Sequence, residues 1–110
     1  MSKFTQKVDI LGRRESGTLT TTTVQRVFAS LSVPAAGNRQ GISLANCDAS
    51  AELYATLAPT GAAAPAVSAS DHDFTIPPRG SRQLQIGAGI EIWIRSSSAS
   101  SITYTAVELL

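Results

Sequence analysis

The residues of this chain that could do chemistry are few, and the most suggestive group is a histidine between two aspartates. His72, the single histidine, lies between Asp71 and Asp73. A carboxylate beside an imidazole can activate the ring as a base or help to hold a metal ion. Successive side chains of an extended segment point to opposite sides, so these three cannot converge on one ion without an unusual turn. We therefore interpret the segment as a solvated loop.

Other catalytic motifs are incomplete. A nucleophilic serine needs a base that is oriented by a third group, and the segment GIS at 41–43 lacks the glycine that completes a nucleophile elbow. The segment GAG at 87–89 lacks a third glycine and precedes a strand pattern, so we interpret it as a hairpin turn. Cys47 is the single cysteine, which excludes an internal disulfide and a cysteine-cluster metal site. We expect no enzymatic activity, no cofactor and no metal.

The elements that would position any site are strands. Apolar residues recur at every second position, most clearly at Ile90, Ile92 and Ile94. Similar patterns predict strands near 27–33, 42–44, 53–57, 73–76, 84–86 and 102–106. About seven short strands at spacings near ten residues predict an all-β fold, either a small antiparallel β-sandwich or a jelly-roll-like barrel. Residues 58–70, rich in Ala, Pro, Gly and Ser, are expected to form a long surface loop.

Charge is sparse and unevenly placed. Charged residues make up 15% of the 110 residues, below the usual quarter. The net charge of +1 gives no electrostatic reason to expect nucleic acid as a partner. The chain has no apolar run long enough to span a bilayer and its start lacks the apolar region of a signal peptide, so we expect no membrane association. A surface rich in Ser and Thr suits both a strand-rich fold and a protein packed against protein neighbours.

The first 17 residues differ from the remainder. They hold both lysines of the chain and precede the first strand pattern, so we predict an N-terminal arm at 1–17 and a β-sandwich domain at 18–110. Apolar residues of the arm recur at i, i+4 and i+7, which fits a helix, although the segment could equally be an extended strand that docks on a neighbour. The predicted interface residues of the arm are Phe4, Val8, Leu11, Arg13 and Arg14.

Three aromatic residues are predicted on the polar-facing side of their strands. They are Phe28, Tyr54 and Trp93, with Arg95 close to Trp93. Exposed aromatic residues beside arginine are typical of interface hot spots. They also suit platforms that stack carbohydrate or single-stranded nucleic acid, and a third interpretation is that they are buried within the chain.

The second half carries an ordered series of turns and apolar strands, in the segments NRQGISLANCDASAELYATLAP, PPRGSRQLQI and IEIWIRSSSASSITYTAVELL. In this pattern, over about residues 38–110, the chain resembles small β-sandwich accessory proteins of tailed-bacteriophage virions, of the capsid decoration or cement type. The resemblance implies a structural virion protein made in the host cytoplasm. Its expected partners are the major capsid protein or other virion proteins and further copies of itself.

Two alternatives stay open. One is another virion position, such as a tail, connector or head fibre. The other is a carbohydrate or receptor-binding module, for which Tyr54 and Trp93 would form the platform.

Overall fold

The computed structural model describes residues 11–19, 24–28, 39–97 and 102–110, and this part of the chain consists of strands, turns and loops. The eight strands are β1 (Leu11–Leu19), β2 (Gln25–Arg26), β3 (Gly41–Asn46), β4 (Leu53–Pro59), β5 (Phe74–Ile76), β6 (Ser81–Leu84), β7 (Ile90–Ser96) and β8 (Ile102–Leu109). The predicted all-β fold is confirmed, with one strand more than the seven expected.

The strands form two antiparallel sheets of four. The first sheet has the order β1-β8-β3-β6, and the second has the order β2-β7-β4-β5. Only β4 and β5 are neighbours both in the chain and in a sheet, so every other connection between consecutive strands crosses from one sheet to the other. This interleaved order is that of the eight-stranded jelly roll, which is built from two Greek keys.

The core lies between the sheets and is built from the predicted period of two. Ile92 and Ile94 of β7 face the core, and each is at most 1% exposed. The remaining large members of the core are Leu19, Phe28, Ile42, Leu44, Leu53, Ile76, Ile102 and Tyr104. Burial of each such side chain stabilises the fold by roughly 1.5–3 kcal/mol. Leu57, predicted on the apolar face of β4, is instead 37% exposed.

A buried asparagine joins the two sheets where β3 ends. The Asn46 side-chain amide donates hydrogen bonds to the carbonyl oxygens of Ala51 at 2.8 Å and Ile76 at 3.1 Å. Two residues on, the Asp48 carboxylate accepts backbone N–H groups of Ser50 and Ala51, which holds its pKa below the usual range. The turn between β3 and β4 is therefore closed by the Asp48 carboxylate.

The first strand begins before the predicted boundary between the arm and the domain. Residues 11–17, predicted to belong to the arm, form most of β1 and pair with β8. At Gly17 an added Cβ would meet the Tyr104 ring at 2.8 Å, because β1 packs closely on that ring. Val27 and Phe28, the first two residues of the strand predicted near 27–33, form a turn that follows the two-residue β2. Residues 1–10 and 29–38 lie outside the described part of the chain.

Candidate interaction surfaces

Arg13, predicted as an interface residue, belongs to an internal ion cluster. Its guanidinium donates two hydrogen bonds to the Glu108 carboxylate, at 2.6 and 2.9 Å, which raises the pKa of Arg13. Arg39 lies 3.5 Å from the same carboxylate and donates to the carbonyl oxygens of Gly87 and Ile90. Burial lowers the pKa of Arg39, and Glu108 opposes that shift. Glu108 thus neutralises arginines from two segments and helps to close one end of the sandwich.

The remaining arm residues are placed in three ways. Arg14 is exposed on the outer side of β1. Leu11 pairs through its backbone with Leu109 of β8. Phe4 and Val8 lie outside the described residues. Of the five predicted arm residues, Arg14 is therefore the one whose side chain the structure shows at the surface.

Phe28 is not a surface aromatic, so this part of the interface prediction is wrong. Its side chain is 0% exposed, and its φ of 65° places it in the left-handed region at a turn. The Phe28 N–H donates to the Glu15 carboxylate at 2.6 Å, and the Arg13 guanidinium lies 5.5 Å from the ring centroid. The turn after β2 breaks the period of two and directs the ring inward.

Tyr54 lies on the outer face of the second sheet but is already engaged within the chain. Its ring stacks on the His72 ring, with centroids 4.8 Å apart and planes inclined by 17°. His72 Nδ1 is 2.8 Å from the Ser68 carbonyl oxygen, and the neighbouring Arg95 donates to the Val67 carbonyl oxygen at 3.1 Å. The loop after β4 therefore covers this end of the face.

The other end of that face carries polar atoms without hydrogen-bond partners. Trp93 and Thr56 are cross-strand partners, and Arg26 pairs with Trp93 on the other side. In the described structure, Trp93 Nε1, Thr56 Oγ1, Arg26 Nε and both carboxylate oxygens of Glu91 are buried without a hydrogen bond. The Arg26 guanidinium lies 3.6 Å from the Glu91 carboxylate. A buried polar group without any hydrogen-bond partner costs about 1–3 kcal/mol.

The outer face of the first sheet is different in character. Its side chains come from three cross-strand rows, two of which extend over all four strands. We call this set the hydroxyl face; its members are Arg14, Ser16, Thr18, Ser43, Ala45, Ser81, Gln83, Thr103, Thr105 and Val107. The Ser16 and Thr105 hydroxyls are 3.1 Å apart, which places both on the same side. Arg14 is the only charged member, and no member is fully buried.

The first sheet ends in an open edge at β6. Even-numbered residues of β3 bond to β6, as the Asn46 N–H does to the Gly80 carbonyl at 2.9 Å. Hydrogen-bonded and non-bonded pairs alternate in an antiparallel ladder, so Arg82 and Leu84 bond to β3. The N–H and C=O groups of Ser81 and Gln83 then point to the free side. In the described structure no strand pairs with that side.

A groove lies beside this edge. It has a volume of about 550 Å3 and is lined by Gln40, Gly41, Leu109 and residues 82–85. Gly41 is needed there, because an added Cβ would lie 2.6 Å from the Leu84 carbonyl oxygen. The Arg82 guanidinium lies over the Phe74 ring, 4.6 Å from its centroid, at the opening between the sheets.

Among the described residues, no three His, Cys, Asp or Glu side chains are grouped so that they could hold a metal ion. Nor does this part of the chain contain a helix that could cross a membrane. Asp73, one of the two carboxylates beside His72, accepts the Leu57 N–H at 2.8 Å.

The described residues therefore form a small jelly roll in which one outer face carries a single charge and the β6 edge of the first sheet is open. Comparison with known proteins gives no match to a family model, a curated protein or a solved structure.

Proposed function

We propose that this chain is a structural virion protein, a decoration or cement subunit that binds a bacteriophage head through protein contacts. The jelly-roll strand order supports the proposal, because viral capsid domains use this order, although lectins and cupins use it as well. Fold alone does not imply function. The resemblance of residues 38–110 to accessory virion proteins gives the proposal its particular form.

The observation that carries the proposal is the hydroxyl face. The cores of protein interfaces are depleted in charged residues, and only Arg14 on this face is charged. Burying hydroxyl groups that find new hydrogen-bond partners is far cheaper than burying charges. Such a face suits a permanent contact with another protein surface, and repetition over many copies would add avidity.

The test is a binding assay on purified heads that lack the protein. Ser16→Lys and Thr103→Lys together place two charges on exposed positions of the hydroxyl face, and we expect occupancy of the heads to fall severely. Ala63→Lys is the matched control, because Ala63 is exposed in the loop after β4, and this variant should bind as the intact chain does.

Two outcomes would overturn the proposal. One is equal occupancy of heads by the double variant and the control. The other is binding of the intact chain to tails or to isolated glycans but not to heads. The second would favour one of the alternatives that the sequence leaves open.

A further inference from the structure

We propose that the free edge of β6, together with its groove, receives residues 4–10 of a second copy of this chain as an added strand. The inference deepens the proposed function, on which it rests: it names the contact that joins neighbouring subunits. Addition of an extended segment to an open sheet edge is a common mode of recognition, in which backbone hydrogen bonds give affinity and alternate side chains give specificity.

The edge offers the backbone groups that an added strand needs. Ser81 and Gln83 direct their N–H and C=O groups away from β3, and both residues are exposed. Neither position is charged, and the guanidinium of Arg82, which lies between them, contacts the Phe74 ring. Exposed edges of this kind readily accept another chain.

The groove is lined mainly by polar residues, and two of its lining residues, Leu84 and Leu109, offer apolar contacts beside those hydrogen bonds. Leu84, Ile86 and Phe74 are only partly buried, and they pack against the core at the opening between the sheets. Apolar side chains at alternate positions of an added strand would cover this surface.

The sequence of residues 4–10 has the matching pattern. Phe4, Val8 and Ile10 occupy positions of one parity, while Lys3 and Lys7 occupy the other. In an extended segment the first set lies on one face and the lysines on the opposite face. The apolar face would then meet the groove while the lysines stay in solvent.

The length of this segment indicates that its acceptor is another copy. β1 and β6 are opposite edges of the first sheet, so a strand added beside β6 lies four strand spacings from Leu11. That distance is about 19 Å, and crossing it within one molecule would use about six residues. Residues 4–10 directly precede Leu11, so only about one of these seven residues would then remain to pair. A second copy avoids this crossing, so all seven residues can pair.

The resulting contact is heterologous, because a segment of one copy meets a different surface of the next. Contacts of this type build rings or open chains of subunits. A variant that disrupts only the segment and a variant that disrupts only the edge should therefore associate with each other when they are mixed.

The experiment measures the mass of the full chain in solution by analytical ultracentrifugation. The edge variant is Gln83→Pro, which removes an N–H on the free side and leaves the ladder with β3 intact; its control is Gln83→Ala. The segment variant is Val8→Asp, and its control is Thr5→Asp, which puts the same charge at a position of the other parity.

We expect the intact chain and both controls to associate, and each variant to weaken association by roughly tenfold or more, since about 1.4 kcal/mol corresponds to tenfold in affinity. A mixture of Gln83→Pro and Val8→Asp should form dimers and nothing larger, because only one working junction is available to each pair. Thermal unfolding of each variant reports whether its domain is folded. If Gln83→Pro is unfolded, Ser81→Pro takes its place as the edge variant.

Three results would each overturn the inference. They are a monomeric intact chain, association of Val8→Asp equal to that of Thr5→Asp, and a mixture of the two variants that stays monomeric. An intact chain that is monomeric yet fills heads completely would overturn this inference alone and leave the proposed function standing. Conversely, association in solution without binding to heads would contradict the proposed function alone.

Discussion

The two sheets of this jelly roll distribute their charges in opposite ways. The first sheet turns charged side chains inward, where Arg13 and Arg39 meet Glu108 and Glu15 accepts the Tyr104 hydroxyl at 2.7 Å. Its outer side is the nearly uncharged hydroxyl face. The second sheet faces the core with isoleucine, leucine, alanine and Phe74 of β5, whereas its charged residues and the aromatic residues Tyr54 and Trp93 lie on the outer side.

This difference bears on which of the two outer faces is open to a partner. The outer face of the second sheet has the residues that usually mark an interface, yet its Tyr54 and Arg95 are engaged by the loop after β4. The hydroxyl face has side chains that draw no attention in the sequence, but no described loop covers it. Whether an outer face is open to a partner therefore depends on whether other segments of the chain cover it, and not on its residue types.

Removal of the inward charge of the first sheet should have the largest effect. In Glu108→Ala the guanidinium of Arg39, which is 1% exposed, loses its carboxylate partner within the protein. Breaking one side of a buried ion pair costs about 3–5 kcal/mol. Urea denaturation should show a loss of this size, whereas Arg14→Ala on the outer side of the neighbouring strand β1 should change the free energy of unfolding by less than about 0.5 kcal/mol. Similar losses for the two variants would contradict the inward assignment of Arg13 and Glu108.

The fold could be predicted from the sequence where inward positions are apolar. β7 and β8 show the period of two clearly, because Ile92, Ile94, Ile102 and Ala106 all face the core. β1 gives no such signal, since its inward positions include Arg13, Glu15 and Gly17. The inward side chains of Arg13 and Glu15 are charged, and Gly17 packs on the Tyr104 ring. A strand of this kind has the same composition as a polar arm.

The interface residues were harder to predict for a related reason. Whether an aromatic residue on a strand is available depends on contacts from distant segments, as with Tyr54 and His72, and these contacts leave no local pattern. Phe28 faces the core because its φ is positive, which the alternation of its neighbours does not reveal. Which backbone groups of β6 are free depends on the strand order of the sheet. The sequence of a single strand does not reveal that order.

The contact between the loop and the second sheet can be measured by a double-mutant cycle. We expect Tyr54→Ala and His72→Ala to be coupled by about 0.5–1.5 kcal/mol, the range for stacked aromatic pairs. The same cycle on Ser16→Ala and Thr105→Ala, across the hydroxyl face, should give less, because that hydroxyl pair is exposed to water. Coupling near zero between Tyr54 and His72 would show that the loop does not hold this ring and that the face is open.

The inward polar groups of the first sheet also predict a dependence on alkaline pH. Burial and the hydrogen bond to Glu15 raise the pKa of Tyr104 well above its ordinary value near 10. Above about pH 10 the unfolded chain loses this proton while the folded chain keeps it, so stability falls as pH rises, by at most about 1.4 kcal/mol per pH unit. In a Tyr54→Phe background, tyrosinate absorbance should appear together with unfolding. Tyrosinate that appears while the protein stays folded would contradict the burial of this hydroxyl.

The smallest effect is expected at Trp93, on the outer face of the second sheet. Trp93→Phe removes an indole N–H that makes no hydrogen bond in the described structure, together with part of a half-buried ring. The loss of apolar area and the relief of an unsatisfied donor oppose each other, so the free energy of unfolding should change by less than about 1 kcal/mol. The sequence predicts Trp93 as an interface residue, whereas the proposed function assigns attachment to the hydroxyl face. Occupancy of purified heads distinguishes these hypotheses: Trp93→Phe should bind as the intact chain does, and a marked loss of binding with an unchanged unfolding transition would return the interface to the second sheet.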